Sequence, residues 1–411
     1  MTASAPQAER RLRRSRGVIR WTVVFVLLAE LVTRLIAGRL PEPLRWYSIE
    51  AQTKVAQMEQ LRREGWKGGV VFIGTSMMNV ALDPLELARS VGQETTFAYN
   101  ASLSAGIPRL MEEWTKAVVF PKLQPSVLVI GLSSIDLNDA SSHRELLLRL
   151  FEAAPAARLA LGRASLMERI DDAASRVSAF VRYRRAFRDP KRVFQSVVLN
   201  RSAVVDPQVG SFGAGLAHRG EDFALPKPVD RAEGTLADYH TGGLEQAAIG
   251  RIIALAQARG TRVLIVKMPV TAEYIATHPR GGDDYQVFER ALAALAASYA
   301  VPVIDAQPAA TGHRYFADDS HLNGRGTEAF THLIATELET RGLVAAPDTP
   351  PTPPTTPQPK PTVPVVPTPT VPIPTTPPAP TTPPIPTPTP GVPTPRTGLP
   401  GPPGVSTPSA G

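Results

Sequence analysis

Three side chains suited to acyl chemistry lie far apart in the 411-residue sequence: Ser76, Asp318 and His321. A serine hydroxyl becomes a nucleophile when a base takes its proton, and an imidazole serves as that base when a carboxylate holds its tautomer. Asp318 precedes His321 by three residues in "YFADDSHLNGRGTEAF", a spacing at which one loop can turn both side chains into one pocket. Ser76 stands in "GVVFIGTSMMNV", two residues past the glycine that ends an apolar run. Singly, each feature has a plainer reading: such a serine can cap a turn, and Asp-x-x-His can be a surface pair. His143, His218, His240, His278, His313 and His332 have no comparable setting and read as surface or loop residues. The chain has no cysteine, which excludes thiol catalysis, disulfides and Cys-based metal sites. It shows no glycine-rich phosphate loop, metal-ligand cluster or nucleotide fingerprint, so no metal and no cofactor are expected.

The elements that must position these residues follow from the apolar pattern. Runs at 69–74, 95–100, 126–131, 262–269 and 301–305 alternate with helical stretches such as "DPLELARSV", "IPRLMEEWTKAVVF" and "VFERALAALAASYA". Five such runs predict an α/β domain with a five-stranded parallel sheet covered on both faces. Ligands of such sheets bind beyond the carboxyl ends of the strands. Ser76 falls in that region, and a helix starting near "DPLELARS" would aim its N-terminus there. A lead-in helix is expected over 42–66, and "NGRGTEAFTHLIATELETRG" closes the domain. Residues 141–195, rich in Leu, Ala and Arg, read as a helical insertion: a lid, a surface facing a membrane or partner, or a solvated helix face. Residues 200–240 read as a long loop.

The formal charge of +7 divides unevenly. Residues 1–40 hold eight arginines and two glutamates, leaving 36 basic against 35 acidic residues in the rest. The basic excess therefore sits on a short arm (1–17) beside the apolar run 18–38, and not on a folded face that could bind nucleic acid. An arginine-rich flank before a mostly apolar stretch of 20 residues, Val18 to Ala37, reads as a transmembrane signal anchor, arm in the cytoplasm and domain outside. Glu30, inside the run, is costly there if charged. A cleaved signal peptide and a buried amphipathic helix are the rival readings. From Pro347 to Gly411 there are 27 prolines in 65 residues, mostly interleaved with threonine. This tail cannot pack a core and reads as an extended or disordered spacer, either a wall-crossing stalk or a tail with no specific role.

The order of these blocks resembles the SGNH (GDSL-like) hydrolase superfamily over roughly residues 69–342. Gly74-Thr75-Ser76 stands where that family has Gly-Asp-Ser, and Asp318 and His321 match its last block. "YNASLSAGIP" (99–108) matches the surroundings of the second block, with Ala105 at the family glycine and Gly106 beside it. The third block departs: "VLVIGLSSIDLND" (127–139) has Ser134 where an asparagine usually donates to the oxyanion. The resemblance implies a three-layer sandwich with flavodoxin-like strand order and an oxyanion hole made by the backbone N–H groups of Ser76 and of Ala105 or Gly106 with the Ser134 hydroxyl. Gly-Thr-Ser, "Gly-Leu-Ser-Ser-x-Asp" and "Asp-x-x-His-Leu" are similar to the membrane-anchored branch, such as alginate O-acetylation proteins and the D-alanyl transfer protein of teichoic acids.

These readings combine into a serine-dependent O-acyl esterase or O-acyltransferase outside the cell membrane. Its expected partners are the membrane, an ester-bearing or acyl-accepting envelope carbohydrate and a membrane-bound O-acyltransferase, with no nucleic acid. The alternative is a non-catalytic envelope protein that keeps the fold to bind glycan or to scaffold such a complex.

Overall fold

The structure, a computed structural model, describes residues 5–66, 68–140, 145–199, 206–225, 236 and 238–344. His143 and the 347–411 tail lie outside the described residues.

Each expected apolar run gives one strand, β3 ending one residue past its run: β1 (Val70–Ile73), β2 (Ala98–Asn100), β3 (Val127–Leu132), β4 (Arg262–Lys267) and β5 (Val303–Asp305). All pair in parallel, in the order β2-β1-β3-β4-β5. Every residue of β1, β2 and β3 is buried, which is why these runs are continuously apolar and do not alternate.

Helix α1 (Ala5–Ile36) and α2 (Ile49–Arg63) precede the sheet. α3 (Ser76–Ala81) and α4 (Pro84–Ser90) link β1 to β2, and α5 (Pro108–Trp114) and α6 (Phe120–Leu123) link β2 to β3. Between β3 and β4 lie α7 (Glu145–Ala153), α8 (Pro155–Ala160), α9 (Leu166–Val177), α10 (Ala179–Tyr183), α11 (Pro190–Leu199) and α12 (Leu244–Gln257). α13 (Ala272–Ala276) and α14 (Gly282–Tyr299) link β4 to β5, and α15 (Gly324–Thr340) closes the domain. Right-handed crossovers put α3 and α4 on one face of the sheet and α5, α12 and α14 on the other. Accordingly α15 packs on α3 and α4, and α12 packs on α5 and α14. The result is a three-layer α/β sandwich.

Strand order reverses between β1 and β3, so the crevice for a ligand opens beyond their carboxyl ends. Gly74 lets α3 start there: a Cβ at that position would lie 2.6 Å from the Met78 Cβ. The segment Gly17–Arg39, within α1 and the turn after it, has a mean hydropathy of 1.8 and is long and apolar enough to cross a membrane.

Candidate active site

The fold brings Ser76 and His321, 245 residues apart in sequence, to a hydrogen bond of 2.9 Å between Oγ and Nε2. His321 Nδ1 lies 2.8 Å from Asp318 Oδ2. The other carboxylate oxygen, Oδ1, accepts from the backbone N–H groups of Ser320 (2.8 Å) and His321 (2.7 Å). Burial alone would raise the Asp318 pKa. The His321 ring and the two backbone donors outweigh it and hold the carboxyl well below the ordinary carboxylate range. The carboxylate therefore stays charged, accepts the Nδ1–H, and leaves the Nε2 lone pair facing the serine hydroxyl. The helix aimed at Ser76 is α3, which begins at the serine itself. The expected helix near "DPLELARS" is α4, a separate element capped by Asp83 through the N–H groups of Leu85 and Glu86. The reason is the apolar content of 77–81, which is buried and folds into its own turn directly after the strand.

The loop after β2 runs beside the end of β1, with Ala101 N–H on the Phe72 carbonyl and Leu103 N–H on the Gly74 carbonyl. This places Ala105 and Gly106 next to the start of α3. Gly106 donates its N–H to Leu103 O at 3.3 Å, whereas the Ala105 N–H has no acceptor among the described residues. Ala105 has φ +54°, the left-handed region in which glycine is at ease and alanine is strained. The Ser76 N–H, at the first position of α3, is beyond reach of any intrahelical carbonyl.

This loop is tied down by side chains that local patterning does not single out. Lys54, fully buried on α2, donates its three Nζ protons to Asn79 Oδ1 (2.8 Å), Asn100 O (3.1 Å) and Ser102 O (2.6 Å). Burial pushes its pKa down to about 8, against the pull of Glu50 and Asp206. Glu50 accepts from Asn79 Nδ2 (2.7 Å) and from the Ser104 N–H (3.0 Å). The lead-in helix therefore grips both α3 and the 102–106 loop.

The Ser134 hydroxyl, expected to face the oxyanion, is bonded elsewhere. It is buried and bonded to His278 Nε2 (2.8 Å) and to the Tyr274 hydroxyl (2.9 Å). His278 Nδ1 donates to Ile275 O, and burial lowers the pKa of this ring, so its Nε2 is an acceptor to which the Ser134 O–H donates. A hydroxyl has one proton, and this one is spent. Asn138 is no substitute: its Oδ1 is held by the N–H groups of Ala140 and His240, which points the side chain into the turn after β3. His278 is thus a buried structural residue and not a surface one. His218 also departs from a surface reading. Its loop crosses the site, and its ring stacks on His321 with centroids 5.1 Å apart, while Nδ1 meets Glu221 Oε2 at 2.7 Å. A long loop of weak periodicity offers no signal that could have placed it there. Metal-ligating atoms of His218, Asp318 and His321 lie within 4.8 Å of one another.

No family model matches the chain, and no curated protein matches it in sequence. Among solved structures it is similar to a GDSL-like lipase from Bacteroides thetaiotaomicron, at 14% identity over 72% of this chain and 98% of the other, with a TM-score of 0.33. A putative acylhydrolase from Bacteroides fragilis matches at 11% identity over 70% and 96%, with a TM-score of 0.33. An aryl esterase of M. smegmatis matches at 13% identity over 66% and 99%, with a TM-score of 0.31. Overlaps this loose assign no role to any residue.

Proposed function

We propose that the chain is an ester hydrolase or O-acyltransferase of the SGNH type that works through an acyl-serine intermediate. The observation that carries this is the relay Ser76–His321–Asp318, with contacts of 2.9 and 2.8 Å. Ser76 Oγ attacks the ester carbonyl carbon while its proton passes to His321 Nε2. The N–H groups of Ser76 and Ala105 hold the oxyanion. Collapse of the tetrahedral adduct breaks the C–O bond to the alcohol, which leaves with the proton from His321. Water, or a sugar hydroxyl, then gives its proton to His321 and attacks the acyl-serine; the acyl–Oγ bond breaks, Ser76 Oγ takes the proton from His321, and the free acid or the acylated sugar leaves. The first acceptor makes an esterase and the second a transferase.

The apolar span Gly17–Arg39 and the arginines before it support a signal anchor with the α/β domain outside the cytoplasm. Such a location, with a Pro/Thr-rich tail of wall-crossing length, favours an envelope carbohydrate as ester donor or acceptor, and a membrane-bound O-acyltransferase as partner. The commitment of the Ser134 proton to His278 favours a second reading. With two oxyanion donors in place of three, the site is either slow or serves to bind glycan. Full-length protein treated with a fluorophosphonate decides between them: Ser76 should label, and Ser76→Ala and His321→Ala should not. Absence of labelling, with unchanged envelope ester content in both variant strains, would leave the binding role. Ester content that rises on deletion identifies an esterase, and content that falls identifies a transferase.

A further inference from the structure

Ester chemistry leaves helices α7 to α11 without a task, and their attachment to α1 suggests one. Glu30, the acid inside the apolar run, accepts from Ser178 Oγ (2.7 Å) and from the N–H groups of Ala179 and Phe180 (3.0 Å each). It is also paired with Arg34 at 2.6 Å, and Arg34 donates to the Val177 carbonyl at 2.8 Å. Glu30, the costly charge in α1, and its partner Arg34 therefore clamp the α9–α10 junction. Further along, Ser196 Oγ donates to Arg39 O at 2.6 Å, and Glu42 accepts from Arg182 and from the Tyr183 hydroxyl, both at 2.7 Å. Only a stripe of α1 around Glu30 and Thr33 is covered by this contact; its large apolar side chains from Val18 to Leu35 are exposed.

The exposed face of α9 is the second observation. Its one buried residue is Asp172, paired with Arg45 and with Arg176 (2.6 Å). Leu166, Met167, Ile170 and Val177, at helical spacing, are 53 to 75% exposed. A helix that turns an aspartate inward and its apolar stripe outward is reversed for water, and a contiguous apolar stripe of this kind marks a surface that is covered. Residues 145–199 hold eleven basic and six acidic residues, an excess that suits an anionic lipid surface.

We infer that the α7–α11 insertion is a membrane-docking platform whose α9 stripe lies in the lipid interface beside α1, at the Arg39 end. This rests on the reading of α1 as a membrane-spanning helix. Given that reading, depth follows from the clamp. Glu30 is nine residues before Arg39, roughly 13 Å along the axis, so the α9–α10 junction lies below the headgroups of that leaflet. The α/β domain is then held at two places, which fixes how its site faces the bilayer.

The absence of cysteine makes the test direct. Full-length Met167→Cys, Ile170→Cys, Phe25→Cys and Ser298→Cys proteins carry an environment-sensitive fluorophore in vesicles of phosphatidylcholine and phosphatidylglycerol with lipid-borne quenchers. Positions 167 and 170 are largely exposed in the protein, so the labels do not threaten folding. The expected result is about twofold or greater quenching at 25, 167 and 170, and none at 298. Quenching at 25 with 167 and 170 still in water overturns the platform and leaves the anchor standing. No quenching at 25 removes the anchor and the platform with it. Labels at 167 and 170 that are shielded from water but unquenched by lipid, and only at high protein concentration, show that a second copy covers the stripe and overturn the lipid assignment.

Discussion

Replacing Asp318 by asparagine tests the relay with one atom. In the native site Oδ1 accepts two backbone N–H groups and Oδ2 accepts the His321 Nδ1–H. A carboxamide cannot do both. If its NH2 faced the backbone donors, two buried N–H groups would lose their acceptor, at about 1–3 kcal/mol each. The amide oxygen therefore stays on the backbone and the NH2 faces His321. That group donates, so His321 Nδ1 must carry the lone pair and Nε2 the proton. The ring then presents a donor to Ser76 where an acceptor is needed. The expected loss is about 10⁴-fold in kcat, about 5 kcal/mol of barrier, with KM little changed. Stability responds differently. The folded-state pKa of Asp318 lies below its unfolded value, so its stabilising contribution is complete above that unfolded value and fades as pH falls below about 4. Asp318→Asn lacks this acid-dependent part. Hydrolysis of a short-chain nitrophenyl ester, fluorophosphonate labelling rates and thermal unfolding against pH measure all three. A folded Asp318→Asn protein within tenfold of the wild-type kcat, or with a loss confined to KM, would refute the relay.

Three further outcomes follow from the same structure. Ser134→Ala should change kcat by no more than about threefold, against the 100- to 1000-fold typical of a lost oxyanion donor. It should destabilise by about 1–3 kcal/mol, because His278 Nε2 loses the Ser134 O–H and Tyr274 loses one of its partners; steady-state kinetics with denaturant titration separate the two. Ala105→Gly relieves about 1–2 kcal/mol of left-handed strain and gives part of it back to the flexibility of the unfolded chain. A melting temperature raised by about 2 °C with near-normal activity is expected, and a fall would contradict the strain. Lys54 has a folded pKa near 8, below its unfolded value of 10.5, so the unfolded chain binds more protons between them. Its contribution to stability therefore rises with pH across that window, by up to about 3 kcal/mol, and is absent in Lys54→Met. Equal slopes of stability against pH in the two proteins would remove Lys54 as the titrating group.

Much of the architecture was legible because burial on both faces of a parallel sheet leaves a continuous apolar run, as at Val70–Ile73 and Val127–Leu132. The residues that meet at the candidate site were legible by chemical type. Ser76, Asp318 and His321 carry the three groups that acyl transfer needs, at places where a strand ends and a last helix begins. The start of α3 was misplaced because six residues are too few to show a helical period. Lys54 and Glu50 look like any pair on a solvated helix, and His218 like any loop histidine.

What the sequence determined by itself, then, is which segments must be buried and which residue types are available for chemistry. Periodicity reports how a side chain faces its own element, and that suffices for both. The tertiary structure decided the partners. It turned the Ser134 O–H to His278, made Glu30, costly inside the apolar run, the acceptor for the first N–H groups of α10, and set Lys54 between α3 and the loop that carries Ala105. Each of these is a hydrogen bond between elements distant in the chain. Its energy depends on whether donor and acceptor meet within about 3 Å, which no local pattern of residues encodes.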